Sequence, residues 1–201
     1  MPEKIQQKKV MAVEGNDEVN FFKSLLEHTG ITDVEVFEAG GKDQFKNKLP
    51  ALIRRKGFSE VETLAIIRDA EENAGSAFDS IINILKKENL KPPSKVNEFS
   101  QGIPRIGIFI MPGNSDEGML EDLCLQTVEN HPVMKCVEAF IDCVKKSGNQ
   151  PGNIAKAKAQ AFLAAMPEIV KSVGLGARKN YWDFNSSVMA DLNTFINMLE
   201  T

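Results

Sequence analysis

The chain is poor in the residues that carry nucleophilic, redox and zinc chemistry. Its 201 residues include three cysteines, two histidines, one tryptophan and one tyrosine. His28 falls at the end of a predicted helix and His131 precedes Pro132 in a predicted turn, so Ser-His-Asp or Cys-His catalysis has little support. The three cysteines, an odd number within one predicted helical region, are expected to be small buried residues in a reducing compartment.

Long apolar runs and glycine-rich phosphate loops are also missing. No apolar run approaches the roughly 18 residues of a membrane span, and the first residues are too polar for a signal peptide, so we expect a soluble, cytoplasmic protein with no membrane partner. The chain has neither a G-x-G-x-x-G after its first strand nor a G-K-S/T motif, which argues against dinucleotide binding and P-loop hydrolysis. The net charge of -4 argues against a protein that coats nucleic acid through bulk positive charge.

Four short apolar segments separated by helical patterns predict a parallel sheet. They lie at 10–13, 34–39, 63–68 and 105–111. The first and third do not alternate between apolar and polar residues, which suits strands buried on both faces. From Met119 onward the pattern is helical. The predicted fold class is α/β, a mostly parallel four-stranded sheet flanked by helices, with an α/β domain over 1–125 and a helical extension over 126–201 packed on it.

The segment 174–184 holds the only tryptophan and the only tyrosine, in the run Tyr181-Trp182-Asp-Phe184. A tight glycine turn followed by aromatic residues packed against the core is the interpretation that the pattern favours. The alternative is a platform on which nucleotides stack, beside Arg178 and Lys179.

Acidic residues follow two of the predicted strands. Glu14 ends the first strand, and Asp69 and Glu71 follow the third. Because the carboxyl ends of parallel strands meet at one edge of a sheet, these side chains should converge. Two unit charges ~4 Å apart repel by about 4 kcal/mol at an effective dielectric constant of ~20, so such a cluster needs a cation or a proton. Oxygen ligands of this kind suit Mg²⁺ or Mn²⁺, although the acids could instead simply favour the helices that follow them.

Four motifs in order resemble a Toprim domain, a Rossmann-like fold. They are VEGNDE, AGGKDQF, IIRDAEEN and IMPGNSDEGMLEDL, one after each predicted strand. The form they resemble is that of the overcoming-lysogenization-defect (OLD) nucleases and of small stand-alone proteins of the DUF3226 type. The resemblance spans about residues 8–125, and YWDF with the following helix is similar to the helical end of those small proteins.

The resemblance implies a metal site and a catalytic carboxylate. Matched residue by residue, Glu14 takes the position of the family's general acid or base, and Asp69 with Glu71 takes that of an Asp-x-Asp pair that holds metal. Glu71 departs from the family pattern, since its side chain is one carbon longer than the usual second Asp. A late acidic ligand would be Glu117 or Glu121.

A metal-dependent phosphoryl-transfer protein is the function that this resemblance implies, specifically a Mg²⁺- or Mn²⁺-dependent nuclease acting on DNA or RNA. Gly40, Gly41 and Lys42 would form a turn that binds the substrate phosphate. The alternative is a non-catalytic metal- or nucleotide-binding module that acts with a partner protein such as an ATPase; a homo-oligomer is left open.

One dense basic run follows the second predicted strand. It is either a solvated helix face or a nucleic-acid contact, and it consists of Lys46, Lys48, Arg54, Arg55 and Lys56.

Overall fold

The computed structural model describes residues 4–114 and 117–200, with the side chains of Lys42 and Asp43 left out. Its centre is a four-stranded sheet in the order β2-β1-β3-β4. All neighbouring strands are parallel, as the sequence predicts. The strands are β1 Lys9–Val13, β2 Val34–Glu38, β3 Thr63–Asp69 and β4 Arg105–Met111.

Eight α-helices surround or extend this sheet in the described part of the chain. They are α1 Asn16–Thr29, α2 Lys42–Ile53, α3 Ala74–Lys87, α4 Leu120–Thr127, α5 Met134–Lys146, α6 Ile154–Ala164, α7 Val173–Arg178 and α8 Ala190–Asn197. None of the described helices is long and apolar enough to cross a membrane.

Alternating residues of each central strand enter two different cores. On one face, Val10 and Ala12 of β1 join Phe45 of α2 and Ile81 of α3. On the other face, Met11 packs in a core shared with α1 and the carboxyl-terminal helices. Because both faces are covered, β1 and β3 need continuous apolar sequences, which explains why neither alternates.

Local sequence signals set several helix boundaries. Gly30 ends α1 in the left-handed conformation, at φ 78°, where its N–H bonds to carbonyls of the last turn. Asn73 caps α3, because its side-chain oxygen accepts a hydrogen bond from the Ser76 N–H at 2.7 Å. Pro50 lies inside α2, which ends at Ile53.

Two local predictions are wrong. Gly174 and Gly176 lie inside the short helix α7 rather than in a glycine turn. Their backbones approach other elements closely, since a Cβ on Gly176 would lie 2.9 Å from the Trp182 indole nitrogen. Of the cysteines only Cys124 is buried, whereas Cys136 and Cys143 are exposed on α5.

Candidate carboxylate site at the edge of the sheet

The carboxyl ends of β1 and β3 bring two predicted acids together. The strands are adjacent and parallel, with Ala12 opposite Ile66. Glu14 directly follows β1 and is only 8% exposed, and Asp69 is the last residue of β3. Both carboxylates lie at a poorly solvated edge of the sheet, where burial raises the pKa of each.

A buried ion pair holds Glu14. The Arg68 guanidinium donates its Nε–H to Glu14 Oε1 at 3.1 Å, and it also lies over the Phe45 ring. Burial raises the pKa of Glu14 to about 7; the charges of Glu18 and Glu71 add to this rise, and Arg68 opposes it. A carboxyl group with a pKa near 7 can both give and take a proton at neutral pH, which suits a general acid or base.

Asp69 lies in the most acidic surroundings of the site. Burial raises its pKa well above the usual range, and the charges of Glu14, Glu18 and Glu121 raise it further. The Leu120 N–H at the start of α4 donates to Asp69 Oδ1 at 3.1 Å and opposes the shift. The pKa of Asp69 is therefore raised by the charges of three other acids of the site.

The structure separates the two candidates for the late acidic residue. Glu121 lies in the first turn of α4, half-buried, and its charge raises the pKa of Asp69. Burial also raises the pKa of Glu121 itself, while the charge of Lys156 lowers it. Glu117 is exposed. Glu121 is thus the one that shares the environment of Asp69.

Glu71 is held by its backbone. It has a φ of 51°, in the left-handed region. Its N–H donates to the Gly118 carbonyl at 2.9 Å, and the Gly118 N–H donates back at 2.9 Å. This pair of hydrogen bonds ties the segment after β3 to the segment that leads into α4, and the Glu71 charge helps to raise the pKa of Glu14.

Glu18 belongs to the site, although the sequence motif alone did not single it out. It lies in the first turn of α1. Burial raises its pKa, the charge of Asp17 adds to the rise, and Lys156 opposes it. Acids are common in the first turn of a helix because they complement the helix dipole. The position of Glu18 in the sequence therefore gave no separate indication that it belongs to the carboxylate site.

Asp17 has a different role, because its carboxylate binds the start of α7. Its Oδ1 accepts the Gly174 N–H at 2.8 Å, its Oδ2 accepts the Val173 N–H at 3.1 Å, and the Ser172 hydroxyl donates to Oδ1. Asp17 therefore joins α1 to the carboxyl-terminal helices.

The predicted glycine turn lies against Glu14. Gly40 has a φ of 76°, and Gly41 is the N-cap of α2. A Cβ on Gly41 would lie 3.9 Å from Glu14 Oε2. The side chain of Lys42, predicted to bind the substrate phosphate, lies outside the part of the chain that the structure describes.

Much of the basic run is paired with other side chains. Lys48 bonds to Glu38 at 2.7 Å, and Arg54 donates its Nε–H to Glu88 at 2.9 Å. Lys46 instead lines a cavity of about 400 Å³ beside the carboxylates, together with Arg68, Asp69, Glu71, Asn73 and Ser76.

The donors of the site match a hard divalent cation in kind and in charge. Carboxylates that raise one another's pKa carry the excess negative charge that Mg²⁺ or Mn²⁺ offsets. Among the described residues, however, no three His, Cys, Asp or Glu side chains are grouped closely enough to hold a metal ion. The carboxylates would therefore have to turn towards one another to ligate an ion.

The fold and this edge define an α/β protein with an acidic site beyond the carboxyl ends of its parallel strands. The chain belongs to the DUF3226 family, described as a protein of unknown function, whose sequence model matches residues 8–201. A comparison with curated proteins finds no significant match.

One solved structure shares the fold, and a second gives a weaker superposition. A hypothetical protein from Pyrococcus horikoshii OT3, PH0156, superposes with a TM-score of 0.53 at 14% identity, over 97% of this chain and 98% of that one. The C-terminal region of the OLD protein from Xanthomonas campestris pv. campestris gives a TM-score of 0.46 at 14% identity, over 96% and 94% of the two chains. The match of the family model over residues 8–201 confirms the resemblance to DUF3226 proteins that the motifs predict.

Proposed function

We propose that the protein is a Mg²⁺- or Mn²⁺-dependent nuclease that hydrolyses phosphodiester bonds in DNA or RNA. The observation that carries this proposal is the surroundings of Asp69, whose pKa is raised by its burial and by the charges of Glu14, Glu18 and Glu121. Clustered carboxylates repel one another when no cation is present, and they can bind a divalent cation that assists phosphoryl transfer. The order of the four acidic motifs supports the same function.

Asp69, Glu71 and Glu121 are the residues that would hold the metal. When bound, the ion would polarise the phosphodiester and offset the charge that develops on its oxygens. Glu14 would move a proton at its carboxyl group, since its pKa of about 7 leaves both protonation states populated. Arg68 orients that carboxyl through its Nε–H.

The cavity beside Asp69 would receive the substrate backbone. Lys46 and Arg68 supply positive charge on its wall, and Ser76 supplies a hydroxyl. In the adjacent turn Gly41 is exposed, and because it has no side chain its backbone is open to a phosphate, whereas Gly40 is buried against Gln44 and Lys48.

A second candidate function is a non-catalytic metal- or nucleotide-binding module that acts with a partner protein such as an ATPase. One observation favours it. The Glu14 carboxylate, which a nuclease would use to move a proton, already accepts a hydrogen bond from Arg68. This function predicts metal binding without turnover.

Cleavage assays separate the two functions. Supercoiled DNA, single-stranded DNA and RNA are incubated with Mn²⁺, Mg²⁺ or a chelator. A nuclease requires the metal, and Glu14→Gln should lower its rate by about 100-fold or more while substrate binding is retained. Asp69→Asn should abolish cleavage. Asp142→Asn, an exposed acid on α5, is the matched control and should leave the rate unchanged.

Two results would contradict the nuclease. Cleavage that survives Asp69→Asn would show that the activity comes from elsewhere. Metal binding by calorimetry with no cleavage of any of the three substrates would leave the binding module as the function.

A further inference from the structure

A second concave surface lies at the other end of α1 from the carboxylates. It is a cleft of about 670 Å³ between the last turn of α1, the α4–α5 connection and the segment that follows α7. Both histidines of the chain line it, and we call it the His28–His131 cleft. Its volume falls within the roughly 300–1,000 Å³ of small-molecule sites.

The two imidazoles are held in place before any ligand binds. The His28 Nε2 lies 3.2 Å from Asn185 Oδ1, and its ring contacts Phe184 edge-on. His131 Nδ1 accepts the Val133 N–H at 3.2 Å. That bond leaves the proton of a neutral His131 on Nε2, where it can be donated to a ligand.

Amide and carboxylate side chains supply the rest of the polar lining. Asn130, Asn180 and Asp183 are exposed at the cleft. Asp183 uses Oδ1 to accept the Asn185 N–H, which leaves Oδ2 for a ligand. The cleft therefore offers several donors and acceptors, and within the described ranges it is lined by no lysine or arginine. Such a set recognises a neutral polar group rather than a phosphate.

The aromatic segment forms a wall of the cleft rather than a platform for stacking. Trp182 is 3% exposed, stacks on Phe162 and donates its indole N–H to the Val173 carbonyl at 2.7 Å. Tyr181 exchanges hydrogen bonds with the backbone of Glu168. The exposed ring surface of the cleft comes instead from His28 and His131.

A smaller depression of about 270 Å³ adjoins the cleft. The two share His28 and Asn180, and the depression also contains Arg178 and one acid, Glu27. The exposed guanidinium of Arg178 can donate hydrogen bonds to a phosphate, and the amide, imidazole and Asp183 groups of the adjoining cleft can pair with the edge of a base.

We infer that the His28–His131 cleft binds an unpaired nucleobase and that Arg178 contacts its phosphate. Asparagine side chains pair with base edges through one donor and one acceptor, and histidine rings stack on bases. The cleft lies about 15 Å from the carboxylate site, given the rise of 1.5 Å per residue from Glu18 to His28 along α1. It would hold a single strand a few nucleotides from the carboxylates. The inference goes beyond the proposed cleavage and does not depend on it.

Trp182 lines the cleft and is the only tryptophan of the chain, so its fluorescence can report binding there. Trp182 fluorescence, excited where nucleosides do not absorb, is followed during titration with adenosine, cytidine and their 5′-monophosphates, in chelator so that metal plays no part. We expect saturable binding, with monophosphates several-fold tighter than nucleosides. Arg178→Gln should remove only that difference.

Variants on the cleft wall complete the test. Asn130→Ala should weaken nucleoside binding about tenfold. His131→Ala should weaken it more than His131→Phe, which keeps a stacking ring. Asn149→Ala, an exposed asparagine outside the cleft, is the matched control and should bind as the wild type does.

Three results would overturn the inference: no saturable response to any nucleoside up to about 10 mM, an equal response to maltose, or unchanged binding in both Asn130→Ala and His131→Ala. None of them bears on metal-dependent cleavage, so failure here is distinguishable from failure of the proposed nuclease.

Discussion

The Arg68 guanidinium donates its Nε–H to Glu14 Oε1 at 3.1 Å across two adjacent strand ends. Both side chains are almost fully buried. The attraction between them opposes the burial that raises the pKa of Glu14. Arg68 therefore tunes the proton affinity of the carboxyl group that we propose as general acid or base.

Replacing Arg68 with glutamine should raise the pKa of Glu14 above about 7. The variant removes a positive charge from a poorly solvated site, so ionised Glu14 loses stabilisation. The shift is measured by NMR titration of the Glu14 side-chain carboxyl. Arg105→Gln, at the opposite end of the sheet, should leave the titration unchanged. An unchanged or lower pKa in Arg68→Gln would contradict the role given to this ion pair.

Glu14→Gln should flatten the pH dependence of stability in the absence of metal. The folded pKa of about 7 lies above the usual 4.5. Protonated Glu14 therefore favours the native state, and this contribution is complete below about pH 4 and lost as the pH rises through 7. At about 1.4 kcal/mol per unit, its size is about 3 kcal/mol.

Urea unfolding of the two proteins at pH 5 and pH 8 measures this effect. The wild type should lose more stability than Glu14→Gln between the two values. Equal losses would show that Glu14 is not buried with a raised pKa.

Glu121→Gln should reduce the stabilisation by metal, whereas Glu117→Gln should not. Millimolar Mn²⁺ should raise the melting temperature of the wild type, because an ion that binds only the native state stabilises it by about 2.7 kcal/mol at 100 times its Kd. For a chain of this size, each kcal/mol corresponds to roughly 2–4 °C. The two variants form a matched pair, and scanning calorimetry with and without Mn²⁺ distinguishes them.

Asp69→Asn combined with Glu71→Gln should remove the metal effect and raise the metal-free melting temperature. A full Mn²⁺ shift retained in this double variant would place the ion away from the carboxylate site.

Gly174→Ala should destabilise the fold by about 1–3 kcal/mol. An added Cβ would lie 2.2 Å from the Asp17 carbonyl oxygen and 2.5 Å from its Oδ1, so α7 would have to move away from α1. Gly152→Ala is the control, since nothing lies within 4 Å of its Cβ position. Denaturant unfolding measures both, and equal midpoints would contradict the close approach.

The sheet was predictable because strands buried on both faces must be continuously apolar. The bounds predicted for β4, 105–111, agree with the structure for this reason. Helix α7 was not predictable, because two glycines in six residues lower helix propensity and the close packing that needs them is a tertiary contact.

The sequence predicted which acidic residues lie at this edge of the sheet only where they come at the end of a strand or directly after it. A parallel sheet implies that the carboxyl ends of its strands lie at one edge. The order in which β1 and β3 are neighbours, which brings Glu14 and Asp69 together, is seen only in the structure. Glu18 and Glu121 reach the same edge from the first turns of α1 and α4, and their positions depend on how each helix turns back from its strand. The local sequence did not distinguish Glu117 from Glu121 as the late acid, because Glu117 lies just before α4 and Glu121 lies in its first turn.

The hydrogen bonds that Asp17 accepts from Ser172 and the start of α7 offset the negative charge of one carboxylate next to the site. Asp17 is the neighbour of Glu18, and three donors at Ser172, Val173 and Gly174 compensate its charge. A chain shortened before Ser172 would leave that carboxylate bare beside the others. The affinity of the shortened chain for cations would then differ from that of the whole protein. The α/β part alone is therefore a poor substitute for the full chain in any measurement of metal binding.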